Sequence, residues 1–319
     1  MLMSPTTNLV IATYAGKYSV MNKGNYLKYL LILLNNIKTN ITQITIMKSK
    51  VNEEHYSITD YYNFNNIDIT NIRDKIKIIE CENVGISYGA LFRSFEHTNE
   101  FDYHIFMEDD YICFMDNFEQ YMIDHLKQDT FLCMISFKNT KWNIMKCIEA
   151  ESETIKNEFI SILNKYDITK NFKEHEFYIP DYSIGIISKI TVKKILSIIP
   201  IDTIMDLFKP RFRQLWIHQV IFGYILFLAS INVDDTSDKN INLFYHTGRE
   251  VTMCNYPDPF NWRDQYKEPF DIPIFCPIEF FYPYNQNNNM FILKKFSKNY
   301  DLFKERYYFL NNIKRSINI

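Results

Sequence analysis

Within its first 47 residues the chain changes hydrophobic period twice, and that alternation limits the folds open to it. Asn8 to Thr13 (NLVIAT) is a nearly unbroken apolar run closed by Tyr14-Ala15-Gly16, the pattern of a buried strand followed by a loop. Over Asn25 to Ile37, Leu27, Leu30, Leu31 and Leu34 return at helical spacing. Ile41 to Met47 then alternates apolar and polar, as a strand does. Strand, helix and strand in this order predict a βαβ unit, and with it a parallel sheet.

The same reading continues downstream. Lys75 to Cys81 is a third strand, and Asn83 to Gly89 is a turn running into a helix that ends near His97. Phe101 to Met107 is a fourth strand. Asp116 to Lys127 reads as a helix with Asp116 at the cap and Glu119 three residues on. Thr130 to Phe137 and Asp181 to Ile187 are further strands, and Ser188 caps a helix carrying Val192, Ile195, Leu196 and Ile199 on one face. Leu215 to Phe227 is a strongly apolar helix, and Ile241 to Tyr245 is a late strand ending at His246. Past Tyr256 six prolines and a polar run predict an irregular extension.

Bulk properties exclude several classes. Of 319 residues, 47% are apolar and 23% charged, enough to bury a core. With 35 basic and 38 acidic side chains the net charge is -3, so nothing points to a nucleic-acid partner. The six cysteines form no CxxC pair and read as buried small hydrophobes in a reducing compartment, which predicts a cytoplasmic location. The most apolar stretches fall short of the roughly 20 residues a transmembrane helix needs, so no transmembrane segment is expected, although attachment to a membrane face is open. Asn, Ile, Lys, Tyr and Phe dominate while Ala and Gly are scarce. Such a composition fits an AT-rich genome, as in a parasite, a low-GC bacterium or a large DNA virus; for a virus, the location would be host cytoplasm or virion.

The strongest chemical signal is Glu108-Asp109-Asp110, three consecutive carboxylates delivered by the apolar strand Tyr103 to Met107. In open α/β sheets ligands bind beyond the carboxyl ends of the strands. Residues two apart on an extended segment point the same way, so Glu108 and Asp110 are placed to share a ligand. Oxygen-rich sites suit Mn²⁺ or Mg²⁺, and such an ion stabilises the charge that grows on a departing diphosphate. The alternative is a solvated acidic loop. Asn83-Val84-Gly85, Gly89 and Arg93 form a second feature. A small-residue turn opening a helix presents backbone N–H groups to an anion, with Arg93 as the cation; the competing reading is a tightly packed helix start. His246, followed by Thr247-Gly248-Arg249, is a third: an imidazole to complete a metal shell and a guanidinium to meet phosphate. His104 reads as a packed core histidine. His218 and Gln219 either face an acceptor or hold their helix. Trp216, Trp262, Tyr182 and Tyr256 are the rings open to a sugar's C–H face.

The order and spacing of NLVIATYAGKY, ECENVGISYGALFRSFE and FDYHIFMEDDY resemble the nucleotide-diphospho-sugar glycosyltransferases of the GT-A fold, family-2-like, over roughly Leu9 to Phe118. The resemblance implies a Rossmann-like, mixed but mostly parallel α/β sheet flanked by helices, with an irregular C-terminal extension. It implies a catalytic domain over 1–255, divided into a nucleotide-sugar half (1–137) and an acceptor half (138–255), and an extension over 256–319. Thr13 and Tyr14 would lie beside the base and ribose; Asn83 and Gly85 would approach ribose and pyrophosphate, near Arg93 and Arg249. Glu108 would stand where the family has its first Asp, with Asp109 between, and Asp110 would hold Mn²⁺ or Mg²⁺ with His246. Tyr182, Trp216 and His218 would face the acceptor, on the side lined by Asp181 to Ser188.

The chain departs from the family in placing Trp216-Ile217-His218-Gln219 where inverting members carry an acidic pair. Either Asp181 or Asp206 is the base, or the reaction retains configuration. The implied function is metal-dependent sugar transfer from a nucleoside-diphosphate sugar, UDP-linked, to a hydroxyl on a glycan, protein or lipid. A non-catalytic nucleotide-sugar or glycan-binding protein of the same fold, and a metal-dependent phosphohydrolase, are the alternatives.

Overall fold

The computed structural model describes residues 5–14, 26–51, 61–109, 111–113, 116–136, 141–168, 176–213, 216–235 and 244–246. In chain order these form β1 (Thr7–Thr13), α1 (Tyr26–Asn36), β2 (Gln43–Ser49), β3 (Ile76–Cys81), α2 (Ile86–Ser94), β4 (Tyr103–Glu108), β5 (Tyr111–Cys113), α3 (Phe118–His125), β6 (Thr130–Ser136), α4 (Ile144–Ile148) and α5 (Glu153–Lys165). Then come β7 (Pro180–Ser188), α6 (Lys189–Ile198), α7 (Ile201–Phe208), α8 (Ile217–Leu228), β8 (Asn232–Asp235) and β9 (Phe244–His246).

Seven strands form one sheet in the order β3-β2-β1-β4-β7-β6-β8. The pairs β3–β2, β2–β1, β1–β4 and β6–β8 are parallel, while β7 runs antiparallel to both β4 and β6. The sheet is therefore mixed and mostly parallel, the α/β class expected. β5 and β9 form a separate antiparallel pair.

β1 is central and buried along its whole length, which is why NLVIAT carries almost no alternation. Val10, Ala12, Phe106 and Phe131 share one core with α2, α7 and α8. The alternate residues Leu9, Ile11, Ile105 and Met107 are just as buried, so both faces of the sheet are covered. The leucines of α1 at i, i+3, i+4 and i+7 (Leu27, Leu30, Leu31, Leu34) are all buried. α8 is apolar on nearly every side, and from Ile217 to Leu226 every residue but Gln219 is buried. Gly185 lets β7 pass Phe131: a Cβ there would stand 2.5 Å from the Phe131 ring and 2.7 Å from the Leu132 carbonyl.

Two capping expectations part ways. Ser188 caps α6, accepting from the Thr191 N–H. Asp116 does not cap α3. Its carboxylate accepts the Lys38 N–H at 3.0 Å, Glu119 accepts the Asn40 N–H at 2.6 Å, and the cap position falls to Asn117 in a left-handed conformation. The acids that look like a local capping box instead tie α3 to the turn after α1. Cys81, Cys133 and Cys147 are buried free thiols. No helix among the described residues is long and apolar enough to cross a membrane.

Candidate functional site at the β1–β4 switch point

Strand order fixes where a ligand can sit. From β1 the chain winds outward to β2 and β3, then returns to place β4 on the other side of β1. Between β1 and β4 the connections diverge, opening a crevice beyond their carboxyl ends. In the parallel register Ala12 stands opposite Glu108, so Thr13 and the Glu108-Asp109 step arrive together at that crevice.

The two carboxylates leave the strand in opposite directions, as alternation requires. Glu108 is half-buried and accepts the Ser87 hydroxyl of α2 at 2.7 Å. Asp109 is buried and continues the ladder through its N–H to the Ala12 carbonyl at 3.1 Å. Its carboxylate accepts the hydroxyls of Thr13 at 2.7 Å and Tyr61 at 2.6 Å. Burial first, then the negative charge of Asp109, push the Tyr61 phenol well above its ordinary pKa, so it stays neutral and remains a donor. Tyr62 lies 3.4 Å from the Thr13 hydroxyl and meets the Tyr61 ring edge-on. Lys48, at the end of β2 opposite Thr13, holds its ammonium 5.4 Å from the centre of the Tyr62 ring. Thus β1, β2, β4 and the segment after β2 converge on one buried acid, and Tyr14 follows half-buried at the rim.

The turn before α2 is explained by packing. Gly85 has φ 75°, and a Cβ on it would lie 2.6 Å from the Phe208 ring; a Cβ on Gly89 would lie 1.7 Å from the Val84 carbonyl oxygen. Gly85 therefore admits the close approach of α7, and Gly89 leaves room for the Val84 carbonyl of the turn that enters α2. Asn83 is exposed on this turn, and Arg93, at the other end of α2, is ion-paired with Glu96 at 2.9 Å.

Asp110 and Arg249 lie outside the described residues, as do Trp262 and Tyr256. The backbone of His246 is placed: it pairs with Tyr111 across β5 and β9, one residue beyond Asp110. This register returns the backbone of a distant histidine to the carboxyl end of β4. Among the described residues no group of three or more His, Cys, Asp or Glu side chains gathers as a metal cluster.

On the other side of β4, the amino end of antiparallel β7 reaches the same end of the sheet. Asp181 stands opposite Ile135 there, with Tyr182 next along the strand. Trp216 precedes α8 and is 39% exposed. His218 is buried, stacked on Phe208 and edge-on to Phe212, which is the helix-holding alternative for this residue. Gln219 donates to the Pro180 carbonyl at 2.7 Å. Asp206 is held by Lys209, Tyr166 and Lys165, which keep its carboxyl far below the usual range. It belongs to a salt-bridged patch between α5 and α7.

A cavity of about 410 Å³ lined by Thr7, Thr39, Asn40, Thr42, Lys75 and Glu119 opens at the amino ends of β1 to β3. It lies at the opposite end of the strands from Thr13 and Glu108. Tyr61, Tyr62, Ser87 and Lys48 are site residues that sequence patterns do not single out. They sit in an Asn- and Tyr-rich loop, a helix first turn and a strand end, with no spacing to mark them.

No protein-family model matches the chain, and no curated protein matches it in sequence. Solved structures similar to it include the galactosyltransferase LgtC in complex with donor and acceptor sugar analogues, at 11% identity and a TM-score of 0.36, covering 72% of this chain and 74% of that one. Another is the glycosyltransferase GlyE of Streptococcus pneumoniae TIGR4, at 11% identity and a TM-score of 0.40, covering 85% of this chain and 52% of that one. A third is the apo bifunctional glycosyltransferase WbbM, at 9% identity and a TM-score of 0.37, covering 74% of this chain and 39% of that one. The chain thus spans about half of the GlyE chain and less of WbbM.

Proposed function

We propose that this chain is a glycosyltransferase that moves a sugar from a nucleoside-diphosphate sugar, UDP-linked, to an acceptor hydroxyl. The observation that carries the reading is the meeting of Thr13 with Glu108 and Asp109 at the β1–β4 switch point, where an open α/β sheet binds its ligand. A nucleotide lying across these strand ends has Thr13, Tyr14 and Tyr62 along one side and the first turn of α2 along the other.

The roles divide by direction. Asp109 faces inward and fixes the floor by holding Thr13 and Tyr61. Glu108 is aimed by Ser87 toward the crevice, at the level of a ribose or diphosphate. Asp110 and His246 are the residues that would hold Mn²⁺ or Mg²⁺, and a bound ion supplies charge stabilisation for the departing diphosphate. Asp181, on β7 at the acceptor side, is assigned as the base for an inverting transfer. We place the base at Asp181 rather than Asp206, whose carboxylate is engaged by Lys209, Tyr166 and Lys165.

The test is titration of nucleotide sugars against the full chain with and without Mn²⁺, followed by nucleoside-diphosphate release in the presence of acceptors. Asp110→Ala should abolish release and metal-dependent donor binding while leaving the thermal midpoint within about 2 °C. Donor affinity and turnover that survive this substitution unchanged would overturn the reading.

A further inference from the structure

We infer that the acceptor is a saccharide, and that its ring stacks on a paired indole surface made by Trp142 and Trp216. This deepens the transferase reading and rests on it for the word acceptor. The physical claim, that a pyranose ring binds these two indoles, stands independently of turnover.

Trp216 is the residue before α8, and its neighbours inside the helix, Ile217 and Val220, are fully buried. Trp216 itself keeps 39% of its surface exposed. Its ring lies against Trp142, with centroids 5.6 Å apart and planes at 55°, so the two indoles form an angled surface rather than a closed stack. Both are fixed from behind. Trp142 is locked to Phe177 by two backbone hydrogen bonds of 2.8 and 3.0 Å, and Phe177 packs on Tyr224 and Phe227 of α8. Trp216 is fixed at the helix start, where its carbonyl receives the N–H of Gln219, whose side chain is bonded to Pro180.

β7 is antiparallel to β4, with Phe106 opposite Gly185, so Pro180 lies at the carboxyl end of β4. At about 3.3 Å per residue, Pro180 stands roughly 10 Å past the level of Glu108. That is the span of one to two sugar rings. A pyranose ring offers an apolar C–H face to an indole and leaves its hydroxyls for polar partners. A lipid tail needs a continuous apolar trough, and a peptide needs backbone partners. A rigid indole pair beside a strand end, Trp216 exposed and Trp142 half-buried behind it, fits a sugar ring better than either.

The experiment has two arms on the full-length protein. In the first, tryptophan fluorescence is followed while lactose or cellobiose is added, with mannitol, an open-chain polyol, as the control. Saturable change with a disaccharide, none with mannitol, and loss of the change in Trp216→Ala are expected. No saturable response to either disaccharide up to its solubility, or an equal response to mannitol, overturns the proposal. In the second arm transfer is assayed by diphosphate release. Trp216→Ala should raise the acceptor KM by about tenfold, the value of roughly 1.4 kcal/mol of stacking. Trp216→Tyr, which keeps a ring, should recover most of that, with donor affinity unchanged in both. An unchanged acceptor KM in Trp216→Ala refutes the stacking surface but not sugar transfer. Disaccharide binding without any transfer refutes the transferase reading but not the surface.

Discussion

His104 gives the sharpest quantitative test of the fold around the site. It is the second residue of β4, fully buried, ringed by Phe95, Phe101 and Phe106, and neither ring nitrogen has a hydrogen-bond partner. Burial lowers its pKa from 6.5 to about 4, with the nearby Lys189 ammonium adding to the effect. The folded state therefore holds the neutral imidazole while the unfolded chain takes up a proton below about pH 6.5. Stability from this group is fully present above that value and is lost as pH falls toward 4, where the folded form begins to protonate as well. At 1.36 kcal/mol per pKa unit the whole span is roughly 3 kcal/mol, of which about 2 kcal/mol is gone by pH 5. In His104→Leu this dependence disappears. The variant also removes two unmet polar atoms, so at pH 7.5 it should be as stable as the parent, or more so. Urea midpoints measured from pH 8 to 4.5 on both proteins isolate the effect, because carboxylate titrations common to both cancel in the difference. The parent should lose ground to the variant by roughly 2 kcal/mol between pH 7.5 and 5. Parallel curves would mean that His104 finds a partner or water, and would refute the picture of a dry aromatic cage.

Four further outcomes follow from the site. Asp109→Ala strands the hydroxyls of Thr13 and Tyr61 and should cost about 3–5 kcal/mol in denaturant unfolding, whereas Asp109→Asn should cost about half as much. Tyr61→Phe removes one donor to a buried carboxylate and should lower stability by about 1–3 kcal/mol while weakening donor binding in calorimetry. Gly89→Ala drives a methyl into the Val84 carbonyl and should destabilise by about 3 kcal/mol or more, read as a fall in thermal midpoint. Asp206→Asn should leave transfer kinetics unchanged, because its carboxylate serves the α5–α7 salt bridges; a hundredfold loss of kcat would return it to the list of bases.

What was legible in the sequence is what depends on local period. The Leu27, Leu30, Leu31, Leu34 stripe, the NLVIAT strand and the Ser188 cap each read correctly because the partner of every signal lies within a few residues. β5 and β8, three and four residues long, carry too few positions for a period and were not visible. α7 was also missed, following directly on α6 across Pro200 with no polar break. Asp116 misled because a capping pattern says nothing about a carboxylate's long-range alternatives, here the Lys38 amide 78 residues away. The site divides in the same way. The acids at the end of β4 were plain, since a strand ending in carboxylates is a local pattern. Tyr61 was not, because its contact with Asp109 spans 48 residues and belongs to the tertiary fold alone.

That contact also resolves how three consecutive acids can stand at one strand end. On an extended segment the middle one must face away from its neighbours, and a charge turned toward the interior is tolerated only if hydrogen bonds replace water. Thr13 and Tyr61 supply those bonds, one from the neighbouring strand and one from the segment that follows β2. The inward acid thereby becomes a structural tie between β1, β4 and the segment that follows β2. It also sets the direction of Glu108, since once Asp109 is anchored the preceding side chain has only the opposite face available. There it meets the Ser87 hydroxyl and the crevice. Asp109 is thus fixed by the fold, while Glu108 stays at the crevice.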